Sequence, residues 1–313
     1  MIRGCAVGNF DGVHRGHRVV LDTLRRECSR IGAVPCAFTF TNHPLELVCP
    51  ERAPKALQSV ESKLCSLHDA GVEPVALTFT PGLMSLTTRE FMEMLRHKYN
   101  VRLLIAGYDN RFGRGCHDNG MSQREVVEMY RAAGADLGIE VVESGELEGI
   151  SSSAIRRMIA AGDVAGAARA LGRPFEWKGM VVHGKQLGRT LGFPTANLEA
   201  VERNVTLPSP GVYAAKATLP DGSSCPAVVN IGTRPTVDGA DAPMSVEAHL
   251  PGFSGDLYGS PVTLQFVERL RSEKRFDSLD QLKEAIAADC RKALRLTGNS
   301  MQPQDPQTHN PPR

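Results

Sequence analysis

No apolar run in the 313-residue sequence approaches the roughly 20 residues needed to cross a bilayer. The first residues also lack the charged-then-apolar layout of a secretory leader. Both absences set the expectation of a cytoplasmic protein with no membrane partner. An excess of one charge is missing as well, with 36 Lys and Arg against 35 Asp and Glu and a formal net charge of +1. The basic footprint of a nucleic-acid binder is therefore absent, and any anionic ligand has to be held locally. The eight cysteines (Cys5, Cys28, Cys36, Cys49, Cys65, Cys116, Cys225, Cys290) contain no C-x-x-C pair. Several fall on apolar faces, which favours buried, reduced thiols over zinc ligands or disulfides. What is present is length and a 42% hydrophobic content, enough for two domains with separate cores. A homo-oligomer is left open.

The first half alternates strands with helices. A short apolar entry (Cys5, Ala6, Val7) leads into a glycine-rich turn, and the stripe Leu21, Leu24, Cys28, Ile31 predicts a helix ending near Gly32. Residues 33–41 read as a buried strand broken by Asn42-His43-Pro44, followed by a helix around 62–70 and strands at 75–79, 101–106 and 139–142. Thr87-x-x-Glu90 and Ser122-x-x-Glu125 are capping boxes opening two helices, Ser152 or Ser153 caps another ending near Gly162, and a helix over 163–171 closes on Gly172. This alternation implies a parallel sheet covered on both faces. Its ligand loops, 8–17, 39–44, 107–114 and 150–156, lie at the carboxyl ends of the strands.

Beyond residue 172 the pattern changes to short β-rich runs at 178–183, 212–219, 226–231, 246–250 and 262–267, separated by turns such as Pro220-Asp221-Gly222. A small antiparallel barrel is predicted, followed by one amphipathic helix opened by the box Ser278-x-x-Gln281. The domains are accordingly 1–172 and 173–297, with 298–313, rich in Pro, Gln and Asn, a disordered tail.

Residues 8–17 read G-N-F-D-G-V-H-R-G-H. A glycine-rich turn entering a helix offers backbone N–H groups and a dipole to a phosphate, and His14 and His17, three apart, share one face of the first turn. Two imidazoles there would neutralise charge on a phosphate chain attacked at its α-phosphorus, the chemistry of nucleotidyl transfer, and Gly16 between them lets the backbone come close. An isolated H-x-G-H is equally an exposed helix start. Ile150-Ser-Ser-Ser-Ala-Ile-Arg156 supplies a complement, with Arg156 placed to hold leaving phosphates bidentately; alone it is an ordinary serine cap and a surface arginine. In the second half, residues 183–197 join three glycines to Lys185 and Arg189 and end in P-T-A-N. The spacing is not a Walker loop. Thr195 and Asn197 offer the hard oxygens that Mg²⁺ prefers, or else cap a glycine-rich barrel loop. Glu247, on its own, reads as a solvated strand residue.

In order, G-N-F-D-G-V-H-R-G-H, T-F-T-N-H-P, L-T-T-R-E-F, A-G-Y-D-N-R-F-G and I-S-S-S-A-I-R resemble successive blocks of the prokaryotic FAD synthetase module, a member of the H-x-G-H nucleotidyltransferase superfamily. The resemblance implies a Rossmann-like α/β domain in which Gly8, Phe10, Asp11, His14, Gly16, His17, Ser152 and Arg156 serve ATP. It places Asn42, His43, Pro44, Asp109, Asn110, Arg111 and Phe112 on the FMN side. Asn110 stands where the family usually has an aromatic, and the family usually carries further residues ahead of its first strand, so that strand is expected to be less well supported. The segment G-K-Q-L-G-R-T-L-G-F-P-T-A-N-L is similar to the riboflavin kinase signature, and G-V-Y, V-N-I-G-T-R-P-T, V-E-A-H-L, F-S-G-D-L-Y-G and L-R-S-E-K-R-F follow in that family's order. It implies a kinase site in which Gly184, Lys185, Gly188, Arg189, Gly192, Pro194, Thr195 and Asn197 bind ATP, with Thr195 and Asn197 on Mg²⁺. Glu247 would take the proton of the riboflavin 5′-hydroxyl. Arg271 would contact flavin or organise the final helix, with Glu273 or Asp277 as partners.

Together the resemblances imply an enzyme that makes FMN from riboflavin and ATP, and FAD from FMN and a second ATP, acting on small molecules only. Two rivals are a nucleotidyltransferase with another phosphate acceptor, and a flavin-sensing or nucleic-acid-binding regulator that has lost catalysis. The P-T-A-N domain speaks against the first; the balanced charge and the retained His14, His17 and Glu247 speak against the second.

Overall fold

The computed structural model describes residues 1–108, 111–114, 120–184, 188, 191–233 and 244–298. They form two compact units, one comprising Met1–Arg157, Arg169–Arg173 and Asn204–Thr206, the other the remaining described residues.

In the first unit β1 (Arg3–Val7), β2 (Val34–Phe40), β3 (Glu73–Leu77), β4 (Val101–Ala106) and β5 (Glu140–Glu143) form one parallel sheet in the order β3-β2-β1-β4-β5. Order reverses between β1 and β4, so the crevice for a ligand opens at their carboxyl ends. β1 has a partner on each side and is buried from Gly4 to Val7, the support that residues ahead of it were expected to be needed for. One sheet face carries Cys5, Val7, Phe38 and Leu104 against Phe91, Leu95 and Tyr130. The other carries Ala6, Ala37, Leu103 and Ile105 against Leu21, Leu24 and Leu67. Burial on both faces explains why the strands read as continuous apolar runs.

The helices start and stop where side chains dictate. α1 (Arg15–Ile31) is capped by His14 and ends on Gly32 in the left-handed conformation. Two very short helices, α2 (Pro44–Val48) and α4 (Pro81–Ser85), flank α3 (Val60–Asp69). α5 (Thr88–Tyr99) and α6 (Gln123–Leu137) each open on the full predicted capping box. α7 (Ser152–Ala160) departs from expectation: Ser151 accepts the Ala154 N–H and is the capping serine, while Ser152 is the first helical residue. α8 (Val164–Leu171) follows after Asp163, whose side chain accepts the Gly166 N–H.

The second unit is a closed antiparallel barrel of β6 (Phe175–Val182), β7 (Thr195–Ala200), β8 (Gly211–Thr218), β9 (Ser224–Thr233), β10 (Met244–His249) and β11 (Pro261–Arg271), ordered β10-β7-β6-β11-β8-β9. β7 corrects the sequence reading, which ended the glycine-rich loop at P-T-A-N; Thr195 and Asn197 belong to a strand. α9 (Leu279–Thr297) packs Ile286, Cys290 and Ala293 over Val212, Ala214 and Val228. Its N-cap is Ser278, but Gln281 reaches back to the Asp277 N–H, so the predicted box is half formed. Residues 299–313, assigned from sequence to a tail, lie outside the described residues, and Gly298 is the left-handed C-cap of α9.

Candidate active sites

Residues 8–17 run from the end of β1 to the start of α1. The turn is held in a form that ordinary residues resist: Phe10 has φ +47°, Gly12 +84° and Val13 +36°. A β-branched valine there is a strained residue, kept in place because Val13 is wholly buried and Phe10 nearly so. Gly8 is fixed by its N–H to the Phe38 carbonyl, 3.0 Å away.

The two histidines are brought together. Their rings stack with centroids 3.6 Å apart and planes 15° from parallel, and Phe10 meets His17 edge-on at 5.2 Å. His14 Nδ1 accepts the His17 N–H at 3.2 Å, which leaves the ring proton of neutral His14 on Nε2. A Cβ on Gly16 would press on the His14 ring at 3.2 Å, which is the structural reason for the glycine in H-x-G-H. Burial, reinforced by Arg173 and Arg156, lowers the His14 pKa to about 4. Burial, His14 and Lys63 push His17 well below its usual value. Without a ligand the pair is therefore neutral near pH 7. It works as hydrogen-bond donors and acceptors, not as the two positive charges read from sequence. His17 Nδ1 is buried and has no hydrogen-bond partner among the described residues.

Asp11 joins the pieces. Its Oδ1 accepts the Leu57 N–H at 2.9 Å, its Oδ2 pairs with Arg156 Nη2, and its carbonyl accepts from Ser152 Oγ at 2.9 Å. Arg156 also donates Nε to the Lys55 carbonyl at 2.8 Å. Two nitrogens of Arg156 are thus engaged by protein, Nη2 on Asp11 of the turn and Nε on the Lys55 carbonyl. Arg173, which sequence reading passed over, holds Gln58 Oε1 and reaches the Val13 carbonyl.

The predicted flavin side divides. Asn42 uses both ends of its amide on Phe79, donating to the carbonyl at 3.0 Å and accepting the N–H at 2.8 Å. His43 is the N-cap of α2, accepting the Leu45 N–H, with Pro44 in the first turn; burial and the Arg156 charge lower its pKa. Phe112 is a core side chain, stacked on Tyr130 at 4.3 Å with its N–H on the Tyr130 hydroxyl. The resemblance placed it on the FMN side; its ring packs in the core. Arg111 donates to the Met121 carbonyl at 2.7 Å. Asp109 and Asn110 lie outside the described residues.

In the barrel, strand register makes the site. Glu247 on β10 stands opposite Asn197 on β7 and opposite Asn230 on β9, so the three form one row across adjacent strands. Val246 between them pairs with Leu198 and Ile231, all buried, which places the row on the opposite face to the barrel interior. Thr195 lies two residues from Asn197 on the same face, its Oγ1 3.4 Å from Glu247 Oε2. A Cβ on Gly184 would collide with the Asn197 amide at about 2.1 Å, so the glycine lets the loop close on this row. The Gly188 carbonyl accepts the Leu191 and Phe193 N–H groups, Gly192 turns the chain at φ +87°, and the Pro194 carbonyl meets His249 Nδ1 at 2.8 Å. Lys185 and Arg189, and Thr236 of the downstream block, lie outside the described residues. Arg271 binds Asp289 of α9 through Nε and Nη2, at 3.0 and 2.9 Å. Its partner is neither Glu273 nor Asp277, and the pair ties the end of β11 to the helix. Asn230 went unnoticed in the sequence; its signal is an amide alternating with buried Val229 and Ile231.

The chemistry of these groups finds close parallels. The FAD synthetase family model matches residues 3–154 and the riboflavin kinase family model residues 171–297. A bifunctional riboflavin kinase/FMN adenylyltransferase of Pseudomonas fluorescens is 40% identical over 306 residues, 95% of this chain and 94% of that protein. The protein of the same name from Escherichia coli (strain K12) is 38% identical over 91% of this chain and 90% of its own length. That from Bacillus subtilis (strain 168) is 32% identical over 94% and 92%. A crystal structure titled as a macrolide-efflux protein from Streptococcus pneumoniae superposes with a TM-score of 0.81 and 29% identity, covering 96% of this chain and 95% of that one. Among the described residues no helix is long and apolar enough to cross a membrane. With one relative 40% identical over nearly its whole length, and both family models in the order read from the motifs, the chain belongs to the bifunctional riboflavin kinase/FMN adenylyltransferase family.

Proposed function

We propose that this chain phosphorylates riboflavin to FMN at the Thr195–Asn197–Glu247 row and adenylylates FMN to FAD at the turn of residues 8–17, each with its own ATP. The observation that carries the reading is the presence of two separately assembled sites, each built from the residues its reaction needs. The division of labour follows the sequence domains, 1–172 and 173–297.

In the kinase half, Glu247 takes the proton from the 5′-hydroxyl as that oxygen attacks the γ-phosphorus of ATP and the bond from the γ-phosphorus to the bridging oxygen breaks, releasing ADP; Thr195 orients the carboxylate through its hydroxyl. Thr195 and Asn197 present hydroxyl and amide oxygens, donors that fit a hard divalent cation such as Mg²⁺. Among the described residues no three His, Cys, Asp or Glu side chains form a metal cage, so ATP phosphate and water would complete the coordination. Such an ion would offset the charge that develops on the phosphates. In the synthetase half, the N–H groups opening α1, with His14 Nε2–H and His17, receive the phosphates of ATP. An FMN phosphate oxygen forms the new bond to the α-phosphorus, and the bond to the β-phosphate breaks, releasing pyrophosphate. A bound polyphosphate opposes the desolvation that keeps the histidines neutral, so they take up protons as charge accumulates. Asn42, His43 and Arg111 form the FMN side. The enzyme works in the cytoplasm on small molecules, without nucleic acid or membrane.

The test is incubation of purified protein with riboflavin, ATP and Mg²⁺, following FMN and FAD by chromatography. Both products are expected in succession, and the absence of both overturns the reading.

A further inference from the structure

Lys63 is a buried charged side chain beside the turn that has had no role so far. It sits on α3 at 6% exposure, four residues before buried Leu67 and on the same face. Its Nζ donates to the Phe40 carbonyl at 2.6 Å and to the Asn9 carbonyl at 3.2 Å, and Thr39 Oγ1 reaches the same Asn9 oxygen at 3.0 Å. Both partners are neutral. The carboxylate whose field it feels, Asp11, is already paired with Arg156. Burial outweighs that field and lowers the Lys63 pKa.

A buried ammonium ion with no carboxylate of its own is unfavourable, and a methionine of similar length would fill the space without that penalty. An anion arriving nearby reverses the balance. Lys63 adds to what the neighbouring groups supply: His14 and His17 are neutral, the Arg156 charge is matched by Asp11, and Arg173 contributes its own charge from its place on Gln58 and Val13. Lys63 is tied to the turn at its other end, at Asn9, next to the residues that begin the phosphate cradle.

We propose that Lys63 is a positioning residue for adenylyl transfer: its charge, fixed beneath the carbonyls of Asn9 and Phe40, holds the floor of the turn and supplies the positive potential against which the phosphates of ATP settle. The proposal rests on the reading of residues 8–17 as the ATP site of FMN adenylylation. Lys63 acts through the turn and takes no part in bond making.

The experiment compares Lys63→Gln, Lys63→Arg and Lys63→Met with the parental protein in the full chain. FAD formation from supplied FMN is measured as a function of ATP concentration and of pH, and riboflavin phosphorylation in the same preparation reports folding. Gln keeps donors for the two carbonyls and lacks the charge. Lys63→Gln and Lys63→Met are expected to lose about 100-fold or more in kcat/KM for ATP, with riboflavin phosphorylation unchanged. Lys63→Arg should stay within about tenfold of the parental value. The acid limb of the FAD pH profile should move to higher pH in the Gln variant, because His17, which faces His14 and Lys63, loses one positive neighbour. A Gln variant that adenylylates at the parental kcat/KM overturns the proposal, as does an Arg variant no better than Gln when both phosphorylate riboflavin normally. If Met alone fails to fold, losing both activities, Gln and Arg decide. A parental protein that makes FMN but no FAD instead refutes the assignment of the turn, a distinguishable failure.

Discussion

The two sites are assembled by opposite strategies. The proposed adenylylation site is gathered by side chains from loops and helix ends: Asp11, Leu57, Ser152 and Arg156 meet through one carboxylate and one carbonyl at the end of a parallel sheet. The proposed kinase site is a product of antiparallel pairing, in which Glu247, Asn197 and Asn230 are placed by register. Loops at the ends of strands need internal anchors, so charged side chains in the first site bind protein as well as substrate. A row on a barrel wall inherits its geometry from the ladder, so its polar groups are left for the reaction.

This contrast breaks if one variant silences both sites. Glu247→Gln has the largest expected effect, a fall of roughly 10³-fold in riboflavin phosphorylation, the usual worth of a general base, with FAD formation from supplied FMN retained. Chromatography of both products in one assay checks it, and joint loss would refute separate sites. His17→Ala is the mirror image, with about 10²-fold less FAD and unchanged FMN formation. A parental FAD rate would show that the buried Nδ1 is not turned to use.

Asp11→Asn sharpens the comparison by attacking the anchor. Leaving Arg156 without its buried partner should destabilise the first unit by about 3 kcal/mol. That lowers its melting temperature by roughly 6–12 °C in calorimetry. Kinase activity should outlast FAD synthesis on heating, whereas the matching Asp289→Asn change, on an ion pair of the second unit, should reverse the order.

Smallest is a pH effect confined to the first unit. His14 is unprotonated in the folded state down to about pH 4, whereas in the unfolded chain it takes up a proton near its ordinary value of 6.5. Between those limits unfolding binds a proton, so stability falls as pH falls, by at most about 3 kcal/mol from this group. Urea titrations from pH 7 to 4 should show that slope, and His14→Asn, whose side-chain oxygen can still cap α1, should reduce it, the remainder coming from His17, whose pKa is also lowered.

Much of the first unit was legible because its signals are local. Capping boxes at Thr87 and Ser122, the glycine closing α1 and the apolar runs of β2 and β4 each report one element by themselves. What escaped depends on partners distant in the chain. Lys63 went unremarked in the sequence, although its spacing to Leu67 puts it on the buried face of α3. Arg156 was read as a ligand grip because its carboxylate partner lies 145 residues away. Phe112 was placed by resemblance on the FMN side, and only the packing of Tyr130 and Phe91 reveals it as core. β7 hid inside a motif whose Thr and Asn suggest a loop, and Asn230 acquires meaning only from the register that sets it beside Glu247.

The Asp11–Arg156 pair also bears on how the protein comes into being. Contacts closing over so long a stretch form late, because the ordering of the intervening chain has to precede them. During synthesis the turn of residues 8–17 emerges well before α7 delivers Ser152 and Arg156, and until then it is held only by Leu57, Phe38 and the burial of Phe10 and Val13. A motif made early is thus completed late, and a truncated chain ending before α7 would carry the phosphate-binding signature without the Asp11–Arg156 brace.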